Sequence, residues 1–210
     1  MTGFRVVNLR DLVEECGEDF TKEILSRFSC PLNKDVEYFL RNKAIDFSKQ
    51  RWSQTHLVFA SFREEWKLVG YFTLSSKAIK VEDGFFRTKS GKSTRNTLRK
   101  RISHFAKHDP DAHGYIISAP LIAQLGKNYT DGLNELISGD ELLGEACKKI
   151  RFIQDNVGGR FTYLECEDKP KLIDFYSSNG FVEFARRTLD KEEVENLDGS
   201  YLVQMIKYIK

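Results

Sequence analysis

An apolar segment followed by the start of a capped helix places the strongest constraint on the fold of this chain. The segment, Tyr115–Ala123, reads as a strand and contains Pro120. Because proline cannot donate to a neighbouring strand, we expect a bulge or an unpaired edge at that position. Ser138 and Glu141 then have the three-residue spacing of a capping box, which predicts the first turn of a helix. Apolar residues recur at helical intervals from there to Gly158.

Hydrophobic periodicity and turn residues predict the remaining elements. Asn33 is placed to cap a helix, and Gln124–Ile137, which contains two glycines among polar residues, is predicted to be a loop. The other expected elements are a strand Phe4–Leu9, a helix Leu9–Arg27, a hairpin of Thr55–Phe62 and Trp66–Ser75, a helix Ser93–Phe105, a strand Phe161–Cys166, a helix Lys171–Asn179, and strands Phe181–Arg186 and Tyr201–Ile209. This order predicts an α+β fold.

Composition limits the class of protein. Its 210 residues, 40% hydrophobic, suit one large domain or a compact domain with additions, and are ample for a continuous core. No apolar stretch is long enough to span a membrane, and the N-terminus lacks the layout of a secretory signal, so we expect a cytoplasmic protein. The four cysteines form no CxxC pair and the four histidines no HExxH pattern, which argues against zinc and against a disulfide framework.

Positive charge is concentrated in one segment although the net charge is only +2. Between Phe85 and His108 the chain has no Asp or Glu. The basic residues there are Arg87, Lys89, Lys92, Arg95, Arg99, Lys100, Arg101 and Lys107. Two interpretations are open: a solvated helix face, or a patch for a polyanion such as RNA or a cofactor phosphate.

A strand, a glycine-bearing loop and an exposed helix start together form a candidate anion site. The first amides of a helix have no partners within the helix, and the helix dipole favours negative charge there. The candidate donors are the backbone amides of Gln124–Gly126 and Ser138–Glu141, where Gly126 and Gly139 would allow close approach. An ordinary capped helix without a ligand is the alternative interpretation.

Tyr176 is the candidate proton donor. It lies near the end of the predicted helix Lys171–Asn179, which Gly180 would close with a left-handed cap. A phenol with a pKa of about 10 is protonated at neutral pH, which suits it to protonate a departing thiolate. Simple packing of the pair Phe175 and Tyr176 is the alternative.

In this order the segments resemble the GNAT superfamily of N-acetyltransferases, which use acetyl-CoA. The cofactor half of that superfamily is similar to the proline-bearing strand, Gln124-Leu125-Gly126, Ser138-Gly139-Asp140-Glu141-Leu142-Leu143 and Phe175-Tyr176 to Gly180-Phe181. The N-terminal part resembles the subset that includes toxins acetylating aminoacyl-tRNA. That likeness is carried by Phe28-Ser29-Cys30, Phe39-Leu40, Lys43-Ala44, Ser53-Gln54-Thr55 and Gly70-Tyr71-Phe72-Thr73-Leu74-Ser75.

The resemblance implies a fold and a set of roles. The fold would be a mixed, mostly antiparallel twisted sheet flanked by helices, with a splayed central strand forming the acetyl-CoA site. Residues 1–210 would be one domain, with an acceptor-side half of about 1–110 and a cofactor-binding half of about 111–210. Leu125 and Gly126 would hold pantetheine by backbone hydrogen bonds, and Gln124 would also bind the cofactor. The pyrophosphate would be received by Ser138, Gly139, Asp140, Glu141 and Leu142, and Tyr176 would be the general acid.

One departure from the superfamily bears on the cofactor. Tyr129–Ile137 separates Gln124-Leu125-Gly126 from the helix start and interrupts the Gln/Arg-x-x-Gly-x-Gly/Ala signature. Such an insertion either reshapes the phosphate cradle or leaves a non-catalytic scaffold. Glu165 and Glu167 are candidate bases for the amine, with water-mediated deprotonation as an alternative.

The leading hypothesis is therefore a cytoplasmic acyltransferase that moves acetyl from acetyl-CoA to a primary amine. The acceptor could be an aminoacyl-tRNA bound through the basic stretch Arg87–Lys107, or a small amine, a polyamine or a protein lysine. The competing hypotheses are an RNA- or partner-binding protein with a vestigial cofactor site, and a structural domain in which Tyr176 only packs. A monomer or a homodimer is expected, and no membrane partner.

Overall fold

The computed structural model describes residues 3–87, 92–190 and 200–209. Its strands are β1 (Phe4–Asn8), β2 (Gln54–Phe62), β3 (Glu65–Glu82), β4 (His108–Asp109), β5 (Gly114–Lys127), β6 (Phe161–Glu167), β7 (Val182–Thr188) and β8 (Tyr201–Tyr208). Its helices are α1 (Leu9–Cys16), α2 (Glu18–Ser26), α3 (Lys34–Tyr38), α4 (Ala44–Lys49), α5 (Asp83–Arg87), α6 (Lys92–Phe105), α7 (Gly139–Val157) and α8 (Pro170–Ser178). A π-helical turn, Phe39–Lys43, joins α3 to α4, and a 3-10 segment, Thr130–Leu136, precedes α7.

The strands form one mixed sheet in the order β1-β2-β3-β5-β6-β8-β7, and β4 pairs with β5. The pairs β1–β2, β2–β3, β4–β5, β6–β8 and β7–β8 are antiparallel. Helices flank this sheet, so the predicted α+β class with a mostly antiparallel sheet is confirmed. The chain divides into two compact units, Met1–Ser75 with Ile122–Lys149 and Ser76–Leu121 with Ile150–Lys210. A single domain with halves meeting near residue 110 stays a prediction.

In the first unit, helices α1 to α4 cover the sheet through one apolar cluster. Its members include Leu9, Leu25, Phe28, Val36, Leu40, Leu57 and Tyr71. Asn33 caps α3 as predicted, because its side chain accepts a hydrogen bond from the Val36 amide at 3.1 Å. The predicted continuous helix Leu9–Arg27 is wrong. Gly17 interrupts it with φ of 87°, a left-handed value that favours glycine, and α1 ends there.

In the second unit, α5 and α6 pack on a separate apolar cluster. Phe85 and Phe86 of α5 and Leu98 and Ile102 of α6 are buried in it, with Tyr115 of β5. The helix predicted at Ser93–Phe105 is confirmed as α6, whereas α5 was not predicted. The basic residue Lys89 lies outside the described residues, and so does the side chain of Lys92.

The predicted loop Gln124–Ile137 is wrong at both ends of its range. Its first four residues continue β5 to Lys127, and Thr130–Leu136 forms a 3-10 segment with left-handed residues Asp131 and Gly132 inside it. The strand persists because Gly126 packs where a larger residue could not, as described below. Within the described part of the chain, no helix is long and apolar enough to cross a membrane.

Candidate active site

The end of β5 carries Gln124, Leu125 and Gly126, three of the predicted cofactor-binding residues. Gln124 Nε2 donates to Asp35 Oδ2 of α3 at 2.9 Å, and both side chains are half-buried. Leu125 is half-buried and Gly126 is buried. All of these residues belong to the first unit.

Gly126 is required for contact between β5 and α3. A Cβ at this position would lie 2.3 Å from Val36 Cγ1 and 3.5 Å from both Phe28 Cζ and Tyr71 Cε1. Gly70 of the neighbouring strand β3 also has no room for a side chain, because a Cβ there would lie 2.9 Å from the Gly126 carbonyl oxygen. The glycine predicted to admit a ligand is therefore also needed for close packing of the protein itself.

The insertion Tyr129–Ile137 belongs to the first unit, and hydrogen bonds of Lys127 and Asn128 fix both of its ends. The Asn128 side chain accepts from the amides of Ser29 at 3.0 Å and Thr130 at 3.1 Å, and donates to the Leu68 carbonyl at 2.9 Å. Lys127 Nζ donates to the carbonyls of Asn134 at 3.0 Å and Ile137 at 3.2 Å. The insertion is thus an ordered part of the fold that delivers the chain to Ser138.

The capping box at the start of α7 is present as predicted. The Glu141 amide donates to Ser138 Oγ at 3.1 Å, and the Glu141 carboxylate accepts from both the amide and the hydroxyl of Ser138 at 2.8 Å. These bonds hold the pKa of Glu141 below its usual range. In the described residues the Gly139 amide has no hydrogen-bond partner.

This helix start fits a diphosphate only in part. The exposed Ser138, the open Gly139 amide and the α7 dipole favour an anion. The Glu141 carboxylate, however, is an internal anion at the same end of the helix, and Asp140 adds a second acidic side chain. Leu142, also predicted to contact the cofactor, is buried with its methyl groups facing Gly70. Exposed Glu141 would have to turn away from Ser138 for phosphate oxygens to reach that amide.

Tyr176 lies in α8 of the second unit, among aromatic rings. Its ring centroid is 4.9 Å from that of Phe175 and 5.9 Å from that of Phe181. Desolvation of the hydroxyl, with a smaller contribution from Cys166, raises its pKa above the ordinary value, so the phenol stays protonated. Among the described residues this hydroxyl has no hydrogen-bond partner. Gly180 closes the helix with φ of 82°, as predicted.

The two carboxylates considered as bases are both in ion pairs. Glu165 binds Arg187 Nε at 2.7 Å and also accepts from Gln204 at 2.8 Å. Glu167 is buried and its carboxylate lies 2.8 Å from Lys169 Nζ. A carboxylate already bound to a cation is a poor acceptor for a further proton. These pairs argue against either residue as the base.

The basic stretch divides into packed and solvated residues. Arg95 and Arg101 lie over the rings of Phe85 and Tyr208 at 5.0 and 4.3 Å. Lys100 and Lys107 are exposed. Asp83, which precedes this stretch, binds His108 at 3.0 Å. The solvated-face interpretation therefore fits only some of these cations, because others pack on aromatic rings. The patch for a polyanion stays a prediction.

Sequence reasoning missed two residues of the first unit. Asn128 follows β5 and bonds three backbone groups, and Asp35 of α3 contacts Gln124. Asp35 gives no local signal beyond being an acidic residue in a first helical turn. Its partner lies 89 positions away in the chain, so only the tertiary fold reveals the contact.

Comparison with solved structures finds similar folds across nearly the whole chain, whereas no family model and no curated protein matches. A tyrosine-to-phenylalanine mutant of KacT has a TM-score of 0.60 at 14% identity, covering 97% of this chain and 94% of that chain. AtaT complexed with acetyl-methionyl-tRNAfMet has a TM-score of 0.57 at 15% identity, with 96% and 94% covered.

A third structure is a mutant AtaT toxin bound to the C-terminus of the antitoxin AtaR and acetyl-CoA. Its TM-score is 0.56 at 16% identity, and the match covers 98% of this chain and 92% of that chain. Identities this low establish the fold and not the activity. The chain has the fold of the KacT and AtaT toxins, the GNAT-like fold predicted from its sequence.

Proposed function

We propose that this protein is an N-acetyltransferase that moves acetyl from acetyl-CoA to a primary amine, with the amino group of an aminoacyl-tRNA as the favoured acceptor. The observation that carries the proposal is the fold match over nearly the whole chain to AtaT complexed with acetyl-methionyl-tRNAfMet and to AtaT with acetyl-CoA. Such a protein would work in the cytoplasm, where charged tRNA is found.

The resemblance to N-acetyltransferases assigns the roles of the site residues. Backbone groups of Leu125 and Gly126 would bind the pantetheine arm, Gln124 would also contact the cofactor, and the helix start at Ser138 to Leu142 would receive the pyrophosphate. Acetyl-CoA supplies an activated acyl group when bound. Tyr176 donates its hydroxyl proton to the departing sulfur, a role suited to a desolvated phenol that stays protonated.

The proposal is tested by calorimetric titration with acetyl-CoA, followed by thiol release in the presence of bulk aminoacylated tRNA or a small primary amine. We expect saturable binding and acceptor-dependent thiol release. Absence of binding at millimolar acetyl-CoA would exclude the acetyltransferase function. If the protein acts as a toxin, its expression arrests growth and Tyr176→Phe relieves the arrest.

Exposed cations in α6 and just after it support tRNA as the acceptor-bearing partner. Lys100 and Lys107 face solvent and can bind phosphates. Replacing either by alanine should weaken tRNA binding and reduce the slope of log affinity against log salt by about one. Lys22→Ala, which removes a lysine of α2 beside Glu18, serves as the control and should leave the slope unchanged.

A second candidate is an RNA- or partner-binding protein with a vestigial cofactor site. It is favoured by one observation, the Glu141 carboxylate bonded to the amide and hydroxyl that a phosphate would use. If this second function is correct, the protein should bind tRNA at low salt, and titration with acetyl-CoA should release no heat of binding. The same titration therefore separates the two functions.

A further inference from the structure

Asp35 is a half-buried carboxylate without an ionic partner. Its Oδ2 accepts from Gln124 Nε2 at 2.9 Å, and it forms no ion pair with any described residue. A neutral amide compensates a carboxylate less than a cation does. One oxygen of this side chain thus remains available to a positively charged or hydrogen-bearing group.

Most other buried or half-buried carboxylates have a cationic partner. Those that pair with a cation are Glu18, Glu37, Asp83, Glu145, Glu165, Glu167 and Glu183. Asp109 has no cation either, but it accepts the amides of Asp111 and Ala112 at 2.9 and 3.0 Å and so closes a turn. Asp35 performs neither task, since its carboxylate has one hydrogen bond with a described residue, to a side-chain amide on β5.

Contacts of Val36 and Asn33 fix the backbone of α3 and so keep Asp35 close to β5. Val36, the next residue, packs where a Cβ on Gly126 would be 2.3 Å away. The Val36 carbonyl accepts the Tyr71 hydroxyl at 2.6 Å, and the Asn33 side chain caps the helix. A charged group fixed in advance costs little reorganisation when it acts.

We infer that Asp35 is the carboxylate that binds the acceptor amine and takes the proton it loses. This inference rests on the proposed function, because Gln124, Leu125 and Gly126 would hold the acetyl-bearing arm beside it. The amine nitrogen bonds to the acetyl carbon as the carbon–sulfur bond breaks. The nitrogen's proton passes to Asp35 and then to water, while the departing thiolate takes up one proton and leaves as the free thiol of CoA.

The chemistry suits a carboxylate at this position. Positive charge develops on the nitrogen as it attacks, and an anionic oxygen stabilises that charge most strongly where water is partly excluded. The Asp35 charge is felt nearby, since it adds to desolvation in raising the pKa of the buried Tyr71. A neutral primary amine fits as the nucleophile, whereas an ammonium group must lose a proton before its nitrogen can attack.

Asp35→Asn tests the inference because it removes the charge and keeps an oxygen that can accept from Gln124. Asp46→Asn, on the exposed face of α4, removes the same charge elsewhere in the first unit and is the matched control. The measurements are calorimetric affinity for acetyl-CoA, thermal unfolding, and kcat and KM for acetyl transfer to bulk aminoacylated tRNA and to glycinamide.

We expect Asp35→Asn to lower kcat about 100-fold, with acetyl-CoA affinity and the thermal midpoint unchanged and Asp46→Asn like the wild type. Wild-type kcat in Asp35→Asn would overturn the inference and leave the proposed function intact. So would a loss of acetyl-CoA affinity or stability equal to the loss of rate, which would make Asp35 a structural residue. A wild-type protein that binds no acetyl-CoA would overturn both.

Discussion

The two regions that carry the predicted site residues use their polar groups differently. From Gln124 to Leu142, several polar side chains already have partners within the protein, as Asn128, Lys127 and the capping box illustrate. The Tyr176 hydroxyl in α8 has none among the described residues. Polar groups without a structural task are the better evidence for function.

The same difference distinguishes residues that have a structural role from residues that have none. Gly126 and Glu141 each have a structural role that would exist without any ligand, because one admits Val36 and the other completes a helix cap. A substitution that removes either structural role therefore changes stability and function together. Tyr176 and Asp35 should change function alone, and the following experiments test that contrast.

The largest effect is expected from Tyr176→Phe. Loss of the general acid should reduce acetyl transfer by about 100- to 10,000-fold, because the departing sulfur then lacks a positioned proton. The free energy of unfolding should change little, since the hydroxyl makes no hydrogen bond with a described residue. Steady-state rates of thiol release measure acetyl transfer, and urea denaturation measures the free energy of unfolding.

Tyr208→Phe is the control for this change. Its ring packs on Phe161 with centroids 5.4 Å apart in the same unit, so it removes the same atom from an aromatic cluster away from α8. It should leave the rate unchanged. A Tyr176→Phe enzyme as active as Tyr208→Phe would mean that Tyr176 only packs, and the contrast between the two regions would fail.

His56 should make the first unit sensitive to acid. It is buried, its Nδ1 has no hydrogen-bond partner among the described residues, and desolvation and then Lys149 lower its pKa to about 4. The folded protein thus favours the neutral ring. Its contribution is present above the unfolded pKa of about 6.5 and is lost as pH falls towards 4, by up to about 3 kcal/mol.

Urea denaturation between pH 7.5 and 4.5 measures this loss. His56→Gln should flatten the pH dependence, whereas His104→Gln, which alters an exposed histidine of α6, should preserve it. If the free energy of unfolding changes with pH equally in wild type and His56→Gln, other groups control the acid sensitivity.

The sequence was sufficient where a local rule decides the structure. Asn33, the Ser138–Glu141 box and Gly180 were each identified from spacing, because a cap depends on residues within one turn. Periodicity likewise located α6, although it overlooked the break at Gly17 and the short helix α5. Gly17 lacks a proline or a polar cap nearby, and five residues are too few to show a period.

Contacts between distant segments could not be predicted from spacing. Gln124 was expected in a loop, yet it lies in β5 because Gly126 and Gly70 let two strands and α3 approach closely. The Asp35–Gln124 bond depends on that approach. The roles of Gln124, Leu125 and Gly126, of Ser138 to Leu142 and of Tyr176 stay predictions that the experiments above address.

Gly126→Ala should destabilise the first unit by about 1–3 kcal/mol, since the new methyl would overlap Val36 Cγ1. Val36→Ala makes room for that methyl. In urea denaturation the double variant should therefore lose less stability than the sum of the single variants. Additive losses would show that the close approach of α3 to β5 is not limited by these two side chains.

The smallest effect is expected from Glu141→Gln. Glutamine can still complete the capping box, so α7 should keep its first turn. The change removes a negative charge from the end of the helix that a diphosphate would occupy, and acetyl-CoA affinity should rise a few-fold, measured by calorimetry at low salt. Asp174→Asn, an exposed carboxylate of α8, is the charge-matched control. Unchanged affinity in Glu141→Gln would mean that the diphosphate does not use the start of α7, and the first region would then serve the fold alone.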